Sequence, residues 1–154
     1  MASLRCARRR LVTIGVTTNP TAEWIAGQVT DAFPWDGAPS HLLRDRDGAF
    51  GPAYTRRIRA MRIRDHPTVQ RPPWQNGHVE RLIGSIRRES LDHLVVFDEA
   101  QLRRILRNYA SYYNQVRTHL SLNKNAPDFR RSQKLGPIAA ISILGGLHHQ
   151  YVRV

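Results

Sequence analysis

Residues 10–34 read RLVTIGVTTNPTAEWIAGQVTDAFP, and this stretch sets the class of the fold. Arg10 to Thr17 is β-branched and partly alternating, the pattern of a strand. Asn19-Pro20-Thr21 punctuates it. From Thr21 to Phe33, Ala22, Ile25, Ala26, Val29 and Phe33 recur at helical spacing, with Thr21 as N-cap and Pro34 as the stop. Downstream, His41 to Arg44 (HLLR) reads as a short strand and Asp45 to Gly51 as a turn rich in Asp and Gly. Pro52 to Met61 reads as a second helix, and Met61 to Arg64 as one more short strand. Strand, helix, strand, helix is an α/β order.

Further along, Pro67, Pro72 and Pro73 make residues 67–76 a loop. The clearest helix follows. Val79, Leu82, Ile83 and Ile86 fall at i, i+3, i+4 and i+7, which predicts one buried stripe, with Glu80, Arg81, Gly84, Arg87 and Arg88 outside it. A further helix runs from Glu99 to Tyr113, its stripe formed by Leu102, Ile105, Leu106, Tyr109 and Tyr113. Beyond Pro127 the pattern fades to a lone strand at Ala139 to Leu144, followed by Gly145-Gly146. No internal repeat is present.

The chain of 154 residues suits one domain, here 1–127, with a tail at 128–154. Its formal charge is +12, which asks for a polyanionic partner, and nucleic acid is the commonest. A membrane surface would want the cations on one amphipathic helix, whereas they are spread along the whole chain. Nearly all are arginine, since Lys124 and Lys134 are the only lysines. GC-rich codon usage accounts for most of that bias but not for the net charge. Cys6 is the only cysteine, so no disulfide forms within the chain, which fits a reducing compartment. The longest apolar stretch, residues 137–147, is far short of the ~20 residues of a membrane span. Residues 1–10 carry arginines but no following apolar run, unlike a signal peptide. The expected location is the cytoplasm, associated with the nucleoid in a bacterium.

Two carboxylates stand out. Asp45 ends the HLLR strand and Glu80 lies in the first turns of the strong helix. Carboxylates at a strand end and on a nearby helix suit Mg²⁺, a hard cation that takes oxygen ligands. Two such ions ~3.5–4 Å apart can clamp the attacking and leaving oxygens of a phosphoryl transfer. By itself the pair is ordinary: Asp in turns and Glu on helix faces are common.

The surrounding residues sharpen it. LLRDRDGAFG at 42–51, PPWQNGHVERLIGSIRRESLDH at 72–93 and YYNQVRTHLSL at 112–122 occur in this order. Together they resemble the catalytic core of DDE-type bacterial insertion-sequence transposases, the group that shares the RNase H-like fold of retroviral integrases. The resemblance runs from Leu11 to Pro127 and weakly through GGLHH at 145–149. It implies a mixed sheet with flanking helices, cutting and joining of DNA strands, Mg²⁺ (or Mn²⁺) as cofactor, mobile-element ends and target DNA as partners, and a homo-oligomer.

The resemblance makes Asp45 the second and Glu80 the third member of a metal-binding acidic triad, both catalytic. Asp47 competes with Asp45. Asp45 is preferred because it directly follows the strand and stands at the family-like distance from Phe50 and Glu80, while Asp47 beside Gly48 reads as a turn residue. Arg81, Arg87 and Arg88 would ordinarily be a solvated face; beside a phosphoryl-transfer site they become DNA-backbone contacts. Gln75 and Asn76 are candidate DNA contacts as well, with helix capping the plainer role for Asn76. Trp74 reads as packing. Tyr112, Tyr113, Asn114, Arg117 and His119 read as mainly structural, with Arg117 as a further DNA contact. His148-His149 has no evident metal partner.

One departure is plain. The resemblance places the first acid on the first strand of the sheet, but no Asp precedes Asp31. Asp31 falls in a helix's last turn and Asp36 in a loop, so neither fits. Only one strand is expected ahead of the Thr21 helix, so one or two strands at a sheet edge are expected to be missing. Impaired catalysis is therefore expected. The alternative is a non-catalytic DNA-binding or subunit-interaction remnant of a mobile element.

Overall fold

The computed structural model describes residues 1–5, 8–34, 37–68 and 77–154. The fold is α/β and consistent with the RNase H-like class. The strands among the described residues fall into three two-stranded ladders: β1 (Ala2–Arg5) with β2 (Arg10–Ile14), β3 (His41–Arg44) with β4 (Arg64–Pro67), and β5 (Ile138–Ile143) with β6 (His148–Arg153). Four α-helices lie among the described residues: α1 (Ala22–Ala32), α2 (Pro52–Ala60), α3 (Gly77–Glu89) and α4 (Glu99–Gln115). No described helix is long and apolar enough to cross a membrane.

Two strands, not one, precede α1. β1 pairs antiparallel with β2, from Ala2 opposite Ile14 to Arg5 opposite Arg10. The Met1 amine and the Gly15 carbonyl extend the ladder at 2.8 Å. Successive side chains on β2 point to opposite faces. Leu11 joins Leu82, Ile86, Leu106, Tyr109 and Tyr113, while Val12 packs on a second cluster of Ile25, Val29, Phe33, Tyr54, Ile58, Met61 and Ile63. α1 and α2 therefore cover one face of the strand and α3 and α4 the other. Gly15 lies where the chain passes α1: a Cβ there would stand 2.3 Å from the Gln28 amide oxygen and 2.8 Å from the Trp24 ring.

α1 begins as its sequence requires. The Thr21 hydroxyl accepts from the Trp24 amide at 3.2 Å, and Phe33 closes the helix as a buried C-cap. α2 then carries the chain across so that β3 and β4 pair in parallel, His41 opposite Arg64. The second strand of that pair starts at Arg64, later than the expected 61–64. Met61 and Ile63 belong to the turn, where both are buried as core residues.

α3 differs from expectation at one position. Leu82 and Ile86 are buried, but Ile83 is 48% exposed. Each residue turns a helix by about 100°, and the stripe closes around Ser85 instead, so Ile83 falls on its rim. The C-terminal strand is not alone either. β5 is one arm of a hairpin, from Ile138 opposite Arg153 to Ile143 opposite His148. Gly145 and Gly146 make the reversal at φ +69° and +93°, where a Cβ would be strained.

Candidate active site

Asp45 directly follows β3. The residue before it fixes its main chain. The Arg44 guanidinium grips the Asp65 carboxylate of β4, Nε at 3.0 Å from Oδ1 and Nη2 at 3.0 Å from Oδ2. It lies over the rings of Phe50 and Tyr54, 4.8 and 5.4 Å from their centroids. Its Nη1 donates to the Asp45 carbonyl at 3.0 Å. Both side chains of the pair are largely shielded, so this planar, bidentate contact locks the end of β3 to β4 and α2. Burial, followed by the Asp65 charge, pushes the Tyr54 hydroxyl well above its usual value.

The turn after Asp45 is held by its own acids. The Asp45 carboxylate accepts from the Asp47 amide at 3.4 Å, and the Asp47 carboxylate accepts from the Ala49 amide at 2.9 Å. Both make the short-range side-chain bond of a turn aspartate, to the amide two residues on, so this bonding does not separate Asp45 from Asp47. Asp45 is exposed and has no ion-pair partner among the described residues.

Glu80 lies in the first turn of α3, exposed and equally without an ion-pair partner among the described residues. Arg81, Arg87 and Arg88 are exposed on the same helix. Gln75, Asn76 and Trp74 lie outside the described residues, as does the segment 69–76 that leads from β4 to α3. Among the described residues, no three His, Cys, Asp or Glu side chains gather as a metal site. Asp45 and Glu80 each offer hard carboxylate oxygens, the donor type that Mg²⁺ takes.

At the far end of α3 a second charged group is tied down. Arg117 clasps Glu89 through Nε (2.9 Å to Oε2) and Nη2 (2.6 Å to Oε1), and the Tyr109 hydroxyl donates to Oε2 at 2.8 Å. Burial alone would raise the Glu89 carboxyl, but the hydrogen bonds from Arg117 and Tyr109 outweigh it and hold the group below its ordinary value. His148 completes the knot. Its ring stacks on Tyr112 at 4.5 Å, and its Nε2 lies 3.0 Å from the Glu89 carbonyl. The weak GGLHH resemblance therefore has a physical content, since it docks the C-terminal hairpin on α3 and α4. Sequence offered no route to the Arg44–Asp65 or Glu89–Arg117 pairs, because the partners meet only through the tertiary fold.

Asn114 has the most specific role in its motif. Its side-chain amide accepts from the Leu11 N–H and donates to the Leu11 carbonyl, both at 2.9 Å. It stands in for a neighbouring strand on β2. Residues 126–128 seal the same edge, Arg8 donating to the Ala126 and Pro127 carbonyls and Arg10 pairing with Asp128.

Residues 61–127 match the family model for the integrase core domain. That span includes Glu80 and the 112–122 motif and leaves out Asp45. No curated protein matches the sequence. The fold is similar to a chain in the cryo-electron microscopy structure of a simian T-cell lymphotropic virus intasome in complex with PP2A regulatory subunit B56 gamma, with a TM-score of 0.62 at 15% identity. The likeness covers 98% of this chain and 59% of that one, so this chain spans well under two thirds of its length. The family match covers less than half of the chain, and the structural likeness, at 15% identity, is one of fold.

Proposed function

We propose that this chain serves in DNA integration or transposition, as part of a core that cleaves phosphodiesters and transfers strands. The observation that carries this reading is the integrase-core match over residues 61–127, which takes in Glu80 and the arginine face of α3. Asp45 and Glu80 would supply the hard oxygen ligands. A bound Mg²⁺ or Mn²⁺ would polarise a phosphoryl oxygen and stabilise the charge that develops on it. Arg44 acts one step back, holding the main chain of Asp45 in place. Arg81, Arg87 and Arg88, with Gln75 and Asn76, would lie along the DNA backbone; Arg117, clasped by Glu89, serves the fold first. The DNA would be element ends and target, engaged by several copies of the chain.

Residues 1–154 hold two of the three acids that the family resemblance implies, so the chain should bind DNA better than it cuts it. The test compares it with a form extended upstream by the first strand and Asp of an intact relative, both on labelled element-end DNA with Mg²⁺ or Mn²⁺. The extended form is expected to cleave, and Glu80→Gln in it to abolish cleavage while leaving DNA affinity within a few-fold. Cleavage that survives Glu80→Gln would remove that residue from the site. Binding without cleavage by both forms would favour the second reading, a non-catalytic DNA-binding remnant.

A further inference from the structure

Away from β3, its turn and α3, the structure holds a cleft of about 590 Å³ between the 123–133 segment and the β5–β6 hairpin. Its charged lining is entirely cationic: Lys124, Arg130, Arg131 and Arg153, with no Asp or Glu side chain among the residues that form it. None of the four has an ion-pair partner among the described residues. Four cations left unneutralised around one concavity repel one another and attract an extended polyanion.

The cleft is a built feature. On one wall the Asn125 carboxamide accepts from the Ala126 and Arg130 amides and donates to the Arg130 carbonyl, which fixes the loop carrying Arg130 and Arg131. Gln133 then latches that loop to β6, donating to the Arg153 carbonyl at 3.2 Å and accepting from its amide at 2.9 Å. At the rim, Asn123 and Lys124 both hold positive φ, 53° and 59°; Asn takes this conformation readily as the cap of the 120–122 turn, whereas Lys124 is strained in it. Main-chain bonds from Asn123 to Leu120 and from Lys124 to His119 maintain it. Strain of this kind concentrates where a site has to be shaped. The opposite wall presents the Tyr151 ring, 68% exposed, on a strand docked to the body through His148. A ring left open to solvent beside a basic groove is the combination that tracks a phosphodiester strand and stacks its bases.

We propose that this cleft is a second nucleic-acid site, in which Lys124, Arg130, Arg131 and Arg153 hold the sugar–phosphate backbone of one DNA strand and Tyr151 stacks an unpaired base. Its volume is that of a small-ligand pocket, so it takes a strand and not a duplex. The cations and the ring call for a phosphodiester; that the strand is DNA rests on the function proposed above.

The test uses the full chain and fluorescence anisotropy with labelled single-stranded and duplex DNA, over a salt series. Lys124→Glu/Arg131→Glu alters two side chains that make no hydrogen bond among the described residues, so the fold should persist, as circular dichroism would verify. This variant should lose ~10-fold or more in single-strand affinity at 100 mM salt, with a shallower salt slope, by about 0.7 for each contact removed. Tyr151→Ala should lose at least ~5-fold for single strands and little for duplex, while Tyr151→Phe keeps the wild-type value. Unchanged single-strand affinity in the charge-reversal variant, or equal competition by poly-glutamate and a phosphodiester of the same charge, overturns the proposal. Arg81→Glu/Arg87→Glu separates it from the active-site reading. If only that pair weakens binding, the cleft fails and the α3 surface stands; if only the cleft variants do, the reverse holds.

Discussion

Replacing Arg117 with alanine is expected to lower the unfolding free energy by about 2–4 kcal/mol, a little under the range for a fully buried pair because both side chains are about a quarter exposed. The loss is larger than that of a surface ion pair for two reasons. The guanidinium meets both Glu89 oxygens, and its removal leaves a largely buried carboxylate with only the Tyr109 hydroxyl. In a chain of this length the change amounts to a fall of roughly 5–12 °C in melting temperature. The effect has a pH signature. Glu89 is held below its ordinary pKa, so its contribution is fully present above the unfolded value and is lost as pH falls through the folded one. The gap between wild type and Arg117→Ala should narrow as the pH is taken down through the carboxylate range. A gap below about 1 kcal/mol at neutral pH, or one that does not change with acid, would show that the Glu89 pair is incidental.

DNA affinity is expected to fall by about 10³ or more when salt rises from 50 to 200 mM, if six or more phosphates are contacted. The basis is the net charge of +12 together with its placement. Ion pairs among the described residues engage only Arg10, Arg44, Arg103 and Arg117, so the arginines of α3 stay available to phosphates. Filter binding across a salt series checks this. Salt-insensitive binding would point to base contacts or apolar burial, and absence of binding at low salt would remove DNA as the partner.

Much of the fold was legible where local chemistry and tertiary role coincide. Thr21, the apolar repeat of α1 and Pro34 state a helix and its ends without help from the rest of the chain. β1 was not legible, because ASLR is short, lacks β-branched residues and sits among arginines; it is a strand because β2 lies beside it. β6 hid for the same reason, since HHQYVR carries no apolar alternation and takes its conformation from β5. Ile83 shows the limit of periodicity, which gives a stripe but not its width. At the candidate site, Asp45 and Glu80 stand at element boundaries, which is ordinary for such residues; the family resemblance of the surrounding motifs is what singled them out. Arg44 could not be picked out. Its meaning depends on Asp65, brought alongside by a parallel pairing that has no sequence signature.

The Asn114 clamp on Leu11 also imposes an order in time. It joins positions 103 residues apart, so it closes only after nearly all the chain between them has been gathered in. The cluster of Ile25 to Ile63 needs no such closure, because α1, β3, α2 and β4 follow one another directly. During refolding, pulsed hydrogen exchange should protect the amides of α1 and α2 before that of Leu11; simultaneous protection would mean that both cores form in one step. The seam between β2 and α4 would then be the last part to mature, and a nascent chain would carry a formed β3–α2–β4 unit while its first strands were still waiting for Asn114.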